Sequence, residues 1–283
     1  MIKINRKLKI CFLIFLAYFN ILVWIIVFDL TQNNLKVIFF DVGQGDSIFI
    51  ETPQKHQILI DGGPDSSVLE KLGQNMPFYD RTLDLIILTH PEHDHFFGLF
   101  DVLKNYQVKN ILWTGVLKNT AEFKEWERLI QEEDTQIKIA RAGQRIYEDK
   151  NYSKAVDILV LYPFENLEGE EMTNVNDTSI IIKLFFKQNS FLFCGDVSKS
   201  VEHKLIDKNI DIDVDILKIA HHGSKNSTSE EFLKKVLPDL AIISVGSDNS
   251  YGHPTPEVLV LLEKYDIKLL RTDISGDISF LLK

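Results

Sequence analysis

The chain has 283 residues, 45% of them hydrophobic and 25% charged, enough for one large α/β domain or two small ones and unlike a disordered or low-complexity protein. Its formal charge of −10 argues against a generally basic, polyanion-binding surface. Of its two cysteines, Cys11 lies in an apolar N-terminal run and Cys194 stands alone in the remainder, so no disulfide framework can form.

Residues 10–28 carry no charge and are interrupted only by Asn20, a length that spans a bilayer core. Lys3, Arg6, Lys7 and Lys9 precede this run, Asp29 follows it, and no basic residue returns until Lys36. The positive-inside bias therefore predicts a single-pass protein of the cell membrane, with a cytoplasmic basic head (1–9), a transmembrane anchor (10–28), a linker (29–35) and an extracytoplasmic domain (36–283). The apolar run is long for a signal peptide, and no small-x-small site follows it, which favours an uncleaved anchor. Without the four basic residues of the head, 27 Lys and Arg face 41 Asp and Glu, a formal charge of −14 on the outer part, residues 29–283.

From residue 35 short apolar runs alternate with amphipathic stretches. They predict strands near 35–42, 46–51, 57–61, 84–89, 109–113, 136–140, 156–162, 178–187, 190–194, 214–220, 239–245, 267–271 and 277–282. Helices are predicted near 66–75, 95–105, 120–132, 198–208, 229–236 and 256–265. This order suits two packed sheets with helices outside, in one domain. Asn166 to Asp177, rich in Glu, Gly and Asn, is predicted as an exposed loop between the halves.

The sharpest chemical signal is Leu-Asp-Leu-Ile-Ile-Leu-Thr-His-Pro-Glu-His-Asp-His-Phe-Phe-Gly, residues 83–98. An apolar strand runs into His90, Glu92, His93, Asp94 and His95 just before a helix, and ligands at a strand's carboxyl end can converge on one metal ion. A solvated polar loop is the bland alternative, but three of the chain's eight histidines fall within six positions.

At this point the sequence resembles the metallo-β-lactamase superfamily, whose signature here is His-x-His-x-Asp-His. His90, Asp94 and His95 match it, Glu92 takes the second His position, and His93 is one residue out of phase. By the resemblance His90 and Glu92 belong to a first metal site, and Asp94 and His95 to a second. Asp196, ending the strand Ser-Phe-Leu-Phe-Cys-Gly-Asp, resembles the family's bridging carboxylate. His221 or His222 supplies the last ligand; His221 is favoured, with His222 its alternate or a proton donor. The implied fold is a four-layer αββα metallo-β-lactamase sandwich, preceded here by one transmembrane helix.

A narrower resemblance runs through Phe40 to Ser47, Leu59 to Gly63, Asn176 to Ser179, His221 to Lys225 and Tyr251 to Pro254. Together these are similar to the extracellular metallo-β-lactamase-like domain of ComEC-type competence proteins. The resemblance implies a metal-dependent hydrolase of phosphoesters, a phosphodiesterase or nuclease, with DNA as a candidate substrate and no protein partner. Its catalytic set would be Asp94, His222, Lys225 and His253, with Ser224 and Tyr251 contacting substrate and Asp61, Asn176 and Asp177 in support. Gly43-Gln44-Gly45-Asp46 is read mainly as a hairpin turn.

The chain departs from the pattern in one respect: residues 96–202 contain no histidine, so the third imidazole of the first site is absent. Asn176, Asp177 or water would replace it. Glu92 makes that site more oxygen-rich, which favours Mn²⁺ beside Zn²⁺ and predicts one or two ions, the stronger one at Asp94, His95, Asp196 and His221. The alternatives are hydrolysis of another ester, of phosphocholine or lactone type, and a metal-poor binding domain without turnover. The −14 charge weighs against nucleic acid unless Lys218 and Lys225 form a local basic lip.

Overall fold

The computed structural model describes residues 6–31, 34–133, 135–148 and 156–283. The start of the basic head (1–5) and residues 32–33 of the linker lie outside the described residues. The first half runs α1 (Arg6–Thr31), β1 (Leu35–Phe39), β2 (Ile48–Glu51), β3 (Gln57–Ile60), α2 (Ser67–Asn75), β4 (Thr82–Leu83), β5 (Leu85–Ile87), α3 (His93–Asn105), β6 (Gln107–Val108), β7 (Asn110–Trp113), α4 (Ala121–Glu132) and β8 (Gln136–Ile139). The second runs β9 (Arg145–Glu148), β10 (Val156–Tyr162), β11 (Ile181–Phe186), β12 (Asn189–Phe193), α5 (Lys199–Asp207), β13 (Ile216–Lys218), α6 (Glu230–Val236), β14 (Leu240–Ile243), α7 (Pro256–Lys264), β15 (Lys268–Arg271), α8 (Thr272–Ser275) and β16 (Ile278–Leu282).

Two seven-stranded sheets result, ordered β16-β1-β2-β3-β5-β7-β8 and β15-β14-β13-β12-β11-β10-β9. Side chains of successive strand residues point to opposite faces, so both faces of these apolar strands are buried. Val37 and Phe39 pack against Val160, Ile182 and Phe193 in the layer between the sheets. Ile38 and Phe40 face outward onto Leu72, Leu99 and Trp126 of α2, α3 and α4. On the far side, Leu192, Leu217 and Ile243 meet Val201, Phe232 and Leu262 of α5, α6 and α7. Three apolar layers separate four layers of structure, as the sequence predicts.

The C-terminal strand β16 returns to pair with β1, Leu35 opposite Leu282 and Phe39 opposite Ile278, and so completes the first sheet with the last segment of the chain. The loop at 166–177 is exposed, but it joins β10 to β11 inside the second sheet; the expectation that it divides the halves is corrected. In α1 the stretch Arg6–Trp24 is long and apolar enough to cross a membrane and is not covered by the rest of the chain.

Candidate metal centre

The carboxyl ends of three parallel strands, one in the first sheet and two in the second, deliver the polar residues of 83–98, 190–197 and 215–224 to one point. After β5 the chain passes Thr89 and the fully buried His90, turns at Pro91, and enters α3 at His93. Starting the helix at His93, two residues earlier than predicted, sends the His93 ring outward, 4.5 Å from Phe97 one turn on, while Asp94 and His95 face inward. Gly98 permits the close approach that seats α3, since a Cβ there would lie 2.1 Å from the Gly62 carbonyl oxygen.

Asp196 is the hub. Its Oδ2 lies 3.4 Å from His95 Nε2, 3.5 Å from His222 Nε2, 3.9 Å from His221 Nε2 and 4.0 Å from His90 Nε2. Asp94 Oδ2 is 3.2 Å from His222 Nε2. One ligand atom each from Asp94, His95, Asp196 and His222 falls within 4.8 Å of the others. His90 Nε2, His95 Nε2 and Asp196 Oδ1 are buried here without a hydrogen-bond partner, an expensive arrangement for polar atoms unless a cation draws them together. Two carboxylates and three imidazoles therefore fit a divalent ion of borderline hardness.

The tautomers are set from behind. Asp61 takes a left-handed backbone conformation (φ 57°) and places its carboxylate 2.8 Å from His95 Nδ1, also accepting from Thr89 N at 2.8 Å and Thr89 Oγ1 at 2.6 Å. His222 Nδ1 lies 2.8 Å from the Ser244 carbonyl oxygen. Each ring thus donates Nδ1–H backward and leaves the Nε2 lone pair facing the cluster.

The carboxylates also draw protons onto these rings, the positive charge that a bound cation would supply in their place. Burial raises the Asp94 carboxyl, but the His222 hydrogen bond and the His95 charge overcome it and hold it well below the usual range. Burial acts likewise on Asp196, and the charges of His222 and His95 outweigh it. His95 is pushed down by burial and then well above its ordinary value by Asp196 and Asp61. His90, lowered by burial and by His95, stays neutral and fit to donate a lone pair.

Several predicted residues fall elsewhere. His222, rather than the favoured His221, enters the cluster: both residues adopt left-handed backbone (φ 52° each), and the turn splays their rings by 77°. His222 goes inward, while His221 stays 27% exposed at the cleft, 3.4 Å from Asn176 Nδ2. The following Gly223 is also left-handed, and a Cβ on it would lie 2.6 Å from Pro254. Glu92 precedes α3 without capping it by its side chain, and turns its carboxylate to Lys118 Nζ at 2.9 Å, outside the cluster. Asp177 accepts from Ser198 N and Ser200 Oγ and so serves the start of α5 rather than the ions. Ser224 is buried, its hydroxyl taken by Asn226 N, and Lys225 is exposed; neither lines the cleft. Lys218 forms no basic lip, being buried with its ammonium 2.8 Å from Asp46 Oδ2.

Asp46 and Lys218 were missed as a pair. The Gly-Gln-Gly-Asp turn carries Asp46 under the site, where Oδ1 is 3.5 Å from His222 Nδ1, joining the two halves beneath the cluster. An isolated Lys on an apolar strand was the only signal. Above the cluster lies a cleft of roughly 580 Å³, walled by Glu171 to Asn176 and lined by His221, Tyr251 and His253. The Tyr251 and His253 rings stack at 5.8 Å, and His253 lies 5.7 Å from His221.

Comparison with known proteins agrees with this geometry. The metallo-beta-lactamase superfamily model matches residues 40–247. ComE operon protein 3 of Bacillus subtilis is 31% identical over 277 residues, covering 91% of this chain and 34% of the relative. Competence protein ComA of Neisseria gonorrhoeae is 30% identical over 253 residues, covering 88% and 32%. The chain spans about a third of the length of these relatives. Among solved structures, the metallo-beta-lactamase fold protein YhfI from Bacillus subtilis superposes with a TM-score of 0.58 at 12% identity, over 88% of this chain and 100% of that one, a likeness of fold. The chain belongs to the metallo-β-lactamase superfamily of metal-dependent hydrolases.

Proposed function

We propose that the chain is a membrane-anchored, extracytoplasmic phosphodiesterase, with nuclease action on DNA its specific form. The observation that carries the reading is the convergence of Asp94, His95, Asp196 and His222 with the unpaired Nε2 of His90, in a chain related to competence proteins. These five residues would hold one divalent cation, Zn²⁺ or Mn²⁺, with His90 and Asp196 able to share a second.

When bound, such an ion lowers the pKa of a coordinated water from about 15.7 toward about 7 and polarises the phosphoryl oxygens. The chain supplies the remaining functions. Asp61 and the Ser244 carbonyl hold the tautomers of His95 and His222. Asp94, ionised and 29% exposed toward the cleft, orients the attacking oxygen. His221 and Asn176 at the mouth donate hydrogen bonds to a phosphoryl oxygen, and His221 is the proton donor for the leaving group, the role first offered to His222. The stacked Tyr251 and His253 rings give an aromatic face for the organic part of the ester.

The cleft contains Glu92, Asp94, Glu171 and Asp196 against Lys118, which Glu92 neutralises. With the −14 charge of the outer part, this favours a small or single-stranded phosphodiester over a duplex held by many phosphates. Metal analysis of the purified chain, with turnover of bis-p-nitrophenyl phosphate and of single- and double-stranded DNA, tests the proposal. Metal-free protein without turnover of any ester would refute it. A reporter fused after Asn34 that works only outside the cytoplasm checks the topology.

A further inference from the structure

The strand registers define two poles of the first sheet. At one, Lys36 is opposite Glu51, Glu51 opposite Gln57, and Ile58 opposite Leu85, at the starts of β1, β3 and β5. At the other, Phe39 is opposite Ile48, Ile48 opposite Ile60, and Ile60 opposite Ile87, leading directly into His90. The metal cluster crowns the second pole. The chain enters the domain at the first, where Asn34 precedes β1.

The entry pole carries unusual apolar exposure. The turn after α2 presents Phe78 at 89% and Tyr79 at 61% exposure, their rings edge to face at 5.3 Å. The turn sits beside the chain entry: Asn34, Lys36, Asn75, Met76, Pro77 and Leu281 line one shallow cavity, and Lys36 Nζ bonds Asn75 Oδ1 at 3.0 Å. Leu281, opposite Lys36, is itself 60% exposed. A lone exposed aromatic needs no explanation, but two adjacent ones, following Met76 and Pro77 of a cavity that exposed Leu281 also lines, mark this pole as apolar.

Covalent geometry supplies the occupant. The α1 helix of 26 residues is about 39 Å long at 1.5 Å per residue, close to the full thickness of a bilayer with its headgroups. Three peptide units join Thr31 to Asn34, so their Cα atoms lie within about 11 Å. If α1 spans, the pole bearing Asn34 cannot leave the membrane surface, and the aromatic turn lies on that pole. Headgroup-level sites favour aromatic rings with one polar edge.

We propose that the Phe78–Tyr79 turn, with Leu281, docks on the lipid headgroup region and fixes the domain with its metal cluster turned away from the bilayer. The proposal rests on the membrane-spanning reading of α1. The five residues of β1 carry the chain about 13 Å from the entry pole toward the cluster pole. The cleft then opens to the aqueous phase, which makes the substrate a soluble phosphoester and not a lipid of the same membrane.

The test uses the full chain in lipid nanodiscs with an environment-sensitive fluorophore on single cysteines. Cys194 is buried and stays unlabelled; native Cys11 reports on α1, and Phe78→Cys and Asp248→Cys, each with Cys11→Ser, report on the two poles. Nitroxide-bearing lipid is expected to quench labels at 11 and 78 about threefold or more beyond that at 248, with a blue-shifted emission at 78. A label quenched at 11 but as accessible to aqueous iodide at 78 as at 248 overturns the docking and leaves the anchor. Absence of lipid quenching at 11 overturns both. A Tyr79→Cys label must repeat the result at 78.

Discussion

Replacing Asp61 by Asn is the most direct probe of how the site is built, because the change keeps shape and removes only one oxygen. In the native chain Asp61 Oδ1 accepts from Thr89 N at 2.8 Å, while Oδ2 accepts from Thr89 Oγ1 at 2.6 Å and lies 2.8 Å from His95 Nδ1. With its amide oxygen kept on Thr89 N, Asn would turn an NH₂ toward His95 Nδ1. That nitrogen must then accept, the ring proton moves to Nε2, and the lone pair that faces Asp196 and the ion is lost. Changes behind a metal ligand typically cost 10- to 100-fold in affinity, about 1.4–2.8 kcal/mol. Asp61→Ala would in addition leave Thr89 N–H unpaired in a buried site, at about 1–3 kcal/mol in folding stability, while the Thr89 hydroxyl keeps His90 Nδ1 at 3.0 Å. Competition titration with a chromophoric chelator, beside denaturant unfolding of metal-free protein, separates the two effects. The reasoning fails if Asp61→Asn binds metal within about threefold of the native chain.

His222→Ala is expected to lower metal affinity by 10-fold or more, whereas His221→Ala keeps its metal and loses about 10²-fold in kcat, read by metal content and ester turnover. Equal metal loss in both would place the two rings alike. Asp196→Ala should abolish metal binding and activity together, since it meets four imidazoles; Glu92→Ala, which frees Lys118, should keep its metal and change chiefly KM. Activity of Glu92→Ala restored only by excess Mn²⁺ or Zn²⁺ would return Glu92 to the metal set. Burial pushes the Cys194 thiol far up, so it should resist thiol reagents until the chain unfolds, while exposed Cys11 reacts in detergent.

What the sequence by itself determined was the order of apolar strands and amphipathic helices, and with it four layers. It also marked the strand ends where His90, Asp94, His95 and Asp196 gather, since chemistry at the carboxyl end of a strand is a local signal. The family signature had already put Asp94 in phase and His93 out of it, but whether His221 or His222 faces inward depends on two left-handed residues that no periodicity announces. The pairings of Lys218 with Asp46 and of Glu92 with Lys118 join segments far apart in the chain, and each turned a candidate for substrate or metal into a neutralised partner. Only tertiary structure could decide these, because a charged side chain's role is set by the opposite charge folding brings to it: packing of the two sheets joins Asp46 to Lys218, and the neighbouring strands β5 and β7 bring Glu92 to Lys118.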